Sequence, residues 1–427
     1  MTKTLRPNQS FARRPRIGVL ALIAGLSVLM ASGPVLTAQT APAKGAAPAA
    51  NAPRWIDAWA LSYLPTLLNG TLADVPAFNN QTVRLSLFTR LGGSQARVKF
   101  TNKFQTVPLV IGGAHLALGA GAGAINPGTD RALAFGGAPS VTIPPGEERW
   151  SDAVNLAVAQ HTEMVVSVFL PESLKPTAFH LTGLKTGYFS APGNHAADPT
   201  MPPAEGKNTT TSVFFVSGLQ VMAPAHTKVI VAFGDSITDG ANSDLNSNTG
   251  WPEQLSKRLP ALPDGTPVSV INMGIGSNRI VSADAAGPSG MHRFADDVLA
   301  RPNVTHVIVF EGINDISYEQ ATPEQLIKGY QDVIARAHAQ GLKVYGVTLL
   351  PIQNSRKDTP ANEATRQAVN QWIRTAKAYD AVLDFEKIVQ DPENPLRIRQ
   401  DLTRDYVHPN TAGYKLMADS IDLKLFE

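Results

Sequence analysis

Three short segments of this 427-residue chain carry side chains that can attack a carbonyl or move a proton. Gly234-Asp235-Ser236-Ile237-Thr238 offers a serine hydroxyl directly after an apolar run. Asp405-Tyr406-Val407-His408-Pro409 places a carboxylate three residues before an imidazole. That spacing lets the carboxylate reach the ring across one turn, fix its tautomer and stabilise the imidazolium. Of the nine histidines, His408 alone joins such a local carboxylate to a position just before a final helix. In Glu311-Gly312-Ile313-Asn314-Asp315, Asn314 supplies an amide donor suited to an oxyanion, and Gly312 lets backbone come close to a ligand. Each segment alone reads equally well as a turn, because Gly, Asp, Asn and Ser favour turns. Their joint occurrence is what points to chemistry.

The elements that must position these residues follow from the hydrophobic pattern. From Lys228 on, strand, loop and helix alternate. Val229–Phe233, Val268–Met273, Val304–Phe310, Val344–Leu350 and Ala381–Phe385 are apolar runs of the kind found in parallel strands covered on both faces. Between them lie expected helices at Pro252–Leu259, His292–Ala300, Pro323–Ala339 and Asn362–Ala378, with a last one from Thr411. This is the pattern of an α/β domain, a doubly wound and mostly parallel sheet over residues 228–427, in which ligands sit outside the carboxyl ends of the strands. All three segments fall there.

Residues 54–223 read differently. Short alternating stretches such as Thr82–Phe88 and Ala96–Phe100, with Val107–Leu118, Ser140–Ile143, Met164–Leu170 and Ser212–Val221, are separated by turn residues without amphipathic helices. They predict an all-β sandwich or jelly-roll domain, with a break at Ala223-Pro224-Ala225. The Gly-Ala-Gly-Ala-Gly run at 119–123 lacks phosphate-loop spacing and reads as a surface loop. His115, His161 and His180 read as surface or satisfied core residues.

With these residues in place, the chain resembles the GDSL/SGNH hydrolases over residues 228–427. The Ser block matches at Gly234–Thr238, the Asn block at Gly312–Asp315 and the last block at Asp405 to His408-Pro409, in family order. The glycine block, Asn272-Met273-Gly274-Ile275-Gly276-Ser277-Asn278-Arg279, departs from the pattern by placing Ser277 where a glycine is usual. Either Ser277 or, with an offset of one, Gly276 supplies the backbone N–H. The resemblance implies Ser236 as nucleophile, His408 as proton carrier and Asp405 as its orienting partner. It also implies an oxyanion hole from Ser236, Ser277 and Asn314, with Asp235, Gly276 and Gly312 in support, and no cofactor or metal. The two-part layout is similar to secreted bacterial members that include carbohydrate esterases. That tilts the substrate toward short acyl esters, acetyl groups on sugars or polysaccharides among them. Short-chain lipid or aryl esters are the alternative, and an inactive carbohydrate-binding relative is a third.

Composition bounds the rest. Hydrophobic residues make up 43% and charged residues 17%, which suits globular domains. Cysteine is absent, which excludes disulfides, thiol nucleophiles and thiolate metal sites. Neither H-E-x-x-H nor G-x-S-x-G occurs, which argues against a zinc protease and an α/β-hydrolase elbow. Five basic residues precede the apolar run Ile17–Met30, and no acidic residue occurs before Asp57, the order of an export signal over residues 1–38. An Ala/Pro/Thr-rich linker at 39–53 follows. The apolar run is shorter than the ~20 residues a membrane span needs. Signal removal would take the formal charge from +2 to −3, leaving no basic footprint for nucleic acid. The expected protein is secreted or periplasmic.

Overall fold

The apolar runs leading into the Ser236 and Asn314 segments belong to one parallel sheet. The structure is a computed structural model that describes residues 52–427 apart from 66, 69–70, 73–74 and 284–286; the expected export signal and nearly all of the linker lie outside the described residues. Five strands lie in the order Val268–Gly274, Lys228–Gly234, Val304–Phe310, Lys343–Val347, Ala381–Leu383. All neighbouring pairs are parallel. Val229, Val231 and Phe233 join one core while Ile230 and Ala232 join another, and all five are wholly buried, which is why the run is continuously apolar.

Helices Trp251–Arg258 and Thr411–Asp419 contribute to the second core, Pro323–His338 and Pro360–Thr375 to the first. Pro323–His338 starts at a full capping box, Thr322 with Gln325, and carries proline in its first turn. The helix expected at His292–Ala300 begins earlier, as Gly290–Phe294, and passes into a π turn at Ala295–Leu299. There Asp297 is buried against Arg293.

Strand order decides where the site lies. From Lys228–Gly234 the chain steps to a neighbour on one side and then crosses to Val304–Phe310 on the other. The loops after these three strands leave from the same carboxyl edge of the sheet, where parallel sheets bind ligands.

Ahead of the parallel sheet stand two antiparallel ones. The first orders Arg54–Ala60, Val216–Ala223, Gly93–Thr101 and Glu148–Trp150, with Val154–Val158 also on Gly93–Thr101. The second runs Arg131–Ala132, Gly113–Gly121, Glu163–Leu170, Gln81–Phe88, Gly187–Pro192, Thr209–Thr210. Val98, Phe100 and Leu219 of one and Leu85, Val166 and Val168 of the other share a core that continues into Val231 and Phe233 of the parallel sheet. Ser269 Oγ donates to Asp57 O at 2.7 Å, and Arg301 pairs with Asp57 at 2.9 Å, so polar bonds bridge the two architectures as well.

Two readings of this region change. The stretch 107–118 is two strands rather than one: Leu109–Ile111 pairs with Val141–Ile143, and past Gly112 the chain joins the larger sheet. A Cβ at Gly112 would lie 2.9 Å from the Phe169 ring, so the bend needs glycine. The 119–123 run continues that strand to Gly121 and turns through Ala122 and Gly123, both at positive φ, into Ala124–Ile125. The alternating strand Gln81–Phe88 is buried on both faces. Arg84 is wholly buried and donates to Ser167 Oγ and to the carbonyls of Gly123, His195, Ala196 and Asp198. Its five bonds satisfy a charge that would otherwise not be buried. Among the described residues, no helix is long and apolar enough to cross a membrane.

Candidate active site

Ser236 opens the one-turn helix Ser236–Asp239 directly beyond the first parallel strand. Asp235 caps it, Oδ1 accepting the Ile237 N–H at 3.0 Å. The turn sits so tightly on the sheet that a Cβ at Gly234 would lie 2.2 Å from Phe310 O, and one at Gly274 2.1 Å from Asp239 N. These contacts hold the serine at the strand end.

Ser236 Oγ lies 2.8 Å from His408 Nε2, and His408 Nδ1 lies 2.7 Å from Asp405 Oδ2. An ionised carboxylate only accepts, so Nδ1 carries the ring proton and Nε2 is free to accept from the hydroxyl. Asp405 Oδ1 also accepts the backbone N–H groups of Val407 at 3.0 Å and His408 at 2.8 Å. Burial raises the Asp405 pKa, but the His408 ring and those two amides outweigh it and hold the carboxyl well below its usual range. Tyr406, at φ 57°, makes the kink that turns both side chains the same way.

Asn314 lies buried in the helix Ile313–Glu319, two residues past Gly312 at φ 135°. A Cβ on Gly312 would meet the Tyr330 hydroxyl at 2.3 Å. The Asn314 amide donates to Asn278 O at 3.0 Å, and its next acceptor, Asp235 Oδ2, is 3.5 Å away. Ser277 stands at φ 63°, a conformation glycine adopts without strain and serine does not. The loop around it is pinned by Asp315, which accepts Ile280 N–H at 2.9 Å and Val281 N–H at 3.0 Å. The N–H of Gly276 lies against the Asp239 carboxylate and favours its charged form.

Several residues here were not singled out in the sequence. Lys357 is buried, with Nζ 2.9 Å from Asn314 Oδ1 and 2.6 Å from Ser317 Oγ. Desolvation pushes its pKa down to about 8. It sits in the loop after the fourth strand, so the rule that placed the other loops at the carboxyl edge applied to it too. His180, read as a satisfied core residue, is one: it bonds Ser62 O at 2.9 Å and Asp239 Oδ1 at 3.0 Å. It thereby ties the antiparallel region to the turn that carries Ser236. His115 pairs with Asp130 at 2.8 Å and His161 with Ser256 at 2.9 Å.

Beneath the site lie three buried carboxyls. Burial raises Asp235 to about 6, Asp315 to about 6 and Glu311 to about 8. Glu311 has no hydrogen-bond partner; its nearest cation is Arg293 at 3.6 Å. Arg293 also donates to Gly234 O and Met273 O at 2.8 Å each, clamping the ends of the two strands that carry them. Among the described residues, no group of three His, Asp or Glu side chains could hold a metal ion.

The arrangement can do acyl transfer: a hydroxyl bonded to an imidazole and a carboxylate behind it. Residues 232–416 match the family model described as GDSL-like Lipase/Acylhydrolase. No curated protein matches the chain. Among solved structures, a member of the lipolytic protein G-D-S-L family from Veillonella parvula is 22% identical, with 45% of this chain and 96% of that one covered and a TM-score of 0.36. An aryl esterase from M. smegmatis is 17% identical, with 45% and 96% covered and a TM-score of 0.38. A carbohydrate acetylesterase family member from Sinorhizobium meliloti is 15% identical, with 47% and 97% covered and a TM-score of 0.39.

Proposed function

Residues 232–416 constitute a GDSL-like lipase/acylhydrolase domain, and from that premise we propose that the protein is a secreted serine esterase hydrolysing short-chain carboxylic esters, acetyl groups on carbohydrates among them. The observation that carries the reading is the continuous chain from Ser236 Oγ through His408 to Asp405, at 2.8 and 2.7 Å.

Ser236 Oγ attacks the ester carbonyl as its proton passes to His408 Nε2. Asp405 holds the ring in the required tautomer and stabilises the imidazolium that forms. Negative charge develops on the carbonyl oxygen, facing the backbone N–H groups of Ser236 and Ser277 and the Asn314 amide. Each such donor is worth roughly 3–4 kcal/mol of barrier in comparable sites. His408 returns the proton to the departing alcohol, and water repeats the sequence in reverse to free the acid.

The test is hydrolysis of p-nitrophenyl acetate by the wild type and by Ser236→Ala. Loss of turnover in the variant supports the reading, and equal rates overturn it. A panel of acetylated sugars, aryl esters and longer acyl chains then assigns the substrate; preference for lipid or aryl esters would displace the carbohydrate assignment. Export is checked by N-terminal sequencing of the protein made in its own host, with the mature chain beginning between Gly33 and Lys44.

A further inference from the structure

The side chain of Asn314 can sit two ways in its pocket, and only one of them serves an oxyanion. If the amide flips, its oxygen faces the developing negative charge instead of its nitrogen. What opposes this is the set of groups around it: Asp235 Oδ2 accepts from the amide nitrogen at 3.5 Å, and two closer neighbours fix its polarity. Asn278 O, at 3.0 Å, can only accept, and Lys357 Nζ, at 2.9 Å, can only donate while it is charged. A flipped amide would set N–H against ammonium and C=O against C=O.

We propose that Lys357 is a positioning residue for acyl transfer, its ammonium locking and polarising the Asn314 amide so that Nδ2, whose second N–H has only the long bond to Asp235 Oδ2 at 3.5 Å, stays turned toward the oxyanion. This rests on the esterase reading above. The geometry around Lys357 fits the role. Its second bond, to Ser317 Oγ at 2.6 Å, goes to the same helix that carries Asn314, and the ring of Tyr318 lies 4.2 Å from the ammonium. Asn362 Nδ2 holds the Lys357 carbonyl at 2.9 Å, fixing the backbone as well. A cation bonded to Oδ1 draws electron density from the amide nitrogen and strengthens its remaining N–H as a donor. Full burial of an ammonium for packing alone would be costly, and a purely structural role would be met as well by an apolar side chain.

The charge is also poised to titrate. Burial, then the charges of Arg356 and Arg279, push the lysine pKa down, while Asp235 and Asp405 hold it up, to about 8. Above that pH the neutral amine no longer polarises the amide, and only Asn278 O and Asp235 Oδ2 still oppose its flip.

The experiment compares wild type, Lys357→Met and Lys357→Arg on p-nitrophenyl acetate across pH, with Asn314→Ala and Ser236→Ala as references. Lys357→Met should lower kcat by roughly 10- to 100-fold with KM changed by no more than about threefold, short of the roughly 100- to 1000-fold expected for Asn314→Ala. Wild-type kcat should fall as pH rises through about 8. Lys357→Arg, charged throughout, should keep much of the activity and lose that alkaline fall. A second readout does not need turnover: in protein labelled with 15N-asparagine, the side-chain amide signal that disappears in Asn314→Ala should titrate near pH 8 in wild type and not in Lys357→Met. A folded Lys357→Met enzyme with kcat within about twofold of wild type overturns the proposal. So does an Asn314 amide signal indifferent to Lys357. Should Ser236→Ala hydrolyse as fast as wild type, the esterase reading falls, and the amide titration alone decides the lysine.

Discussion

On the His408 side of Ser236, an imidazole, its carboxylate partner and the two backbone amides that orient that carboxylate all lie within residues 405–408. Around Asn314, by contrast, the groups that meet come from segments at Asp235, Asn278 and Lys357. The first is a turn that orders itself: its bonds span at most three residues, so little loop entropy is lost in closing it. The second exists only when the parallel sheet and the helices Ile313–Glu319 and Pro360–Thr375 are all in place. One side of the site is therefore local chemistry and the other is a product of the fold, and the two should fail differently.

The largest effects belong to the local side. Ser236→Ala and His408→Ala should each lower turnover by several orders of magnitude, and the double variant should be scarcely worse than either single one, because one proton-transfer unit is lost in each case. Asp405→Asn should be less severe, since it disturbs tautomer and charge while leaving the nucleophile and the oxyanion donors in place. Rates of single and double variants measure this directly. Additive losses would show that Ser236 and His408 do not act as a unit, and the contrast drawn above would break.

This difference also explains what could be read in advance. Asp405 and His408 were legible because a three-residue spacing encodes their relation, and Ser236 because the strand character of Val229–Phe233 placed it at a strand end. Asn314 was legible as a donor but not its orientation, which depends on Asn278 O and Lys357. Nothing in Ser355-Arg356-Lys357-Asp358 announces a buried lysine, because a charged run in a loop ordinarily faces water. Arg84 was hidden for the same reason: alternation at Thr82–Phe88 carries no sign that the segment around His195–Asp198 closes over the outer face. The two-sheet character of residues 54–223 followed from turn spacing. The split at Gly112 did not, since an apolar stretch with one glycine is equally consistent with a single strand.

Ser277 tests the fold-dependent side through backbone alone. Ser277→Gly should relieve the strain at φ 63° and leave turnover within about twofold, with at most a gain of about 1 kcal/mol in stability. Ser277→Pro removes the N–H and cannot adopt a positive φ, so turnover should nearly vanish. Circular dichroism would confirm that each variant is folded. A folded Ser277→Pro enzyme with wild-type turnover would exclude this N–H from the oxyanion hole.

Glu311 gives the smallest effect on rate and sharpens the comparison from beneath. It adjoins Gly312 and Asn314 in sequence, yet its carboxyl makes no hydrogen bond and has Arg293 at 3.6 Å as its nearest cation. Burial raises its pKa from 4.5 to about 8. A carboxyl raised in this way favours the folded state when protonated. Its contribution is complete below about pH 4.5, where folded and unfolded chains are both protonated, and is lost progressively as pH rises toward about 8. Glu311→Gln keeps the shape and cannot ionise. Relative to wild type, it should therefore gain stability between pH 5 and pH 9, by roughly 2–4 kcal/mol if the shift is as large as the burial implies. Thermal unfolding at the two pH values reads this as a gap of several degrees that opens only at the alkaline one. Turnover at pH 7 should stay within about threefold, because no step of acyl transfer passes through this carboxyl. An equal gap in Tm at both pH values would mean that Glu311 is already ionised against Arg293 at pH 5, and that the clamp on Gly234 and Met273 is an ion pair rather than a cation beside a neutral acid.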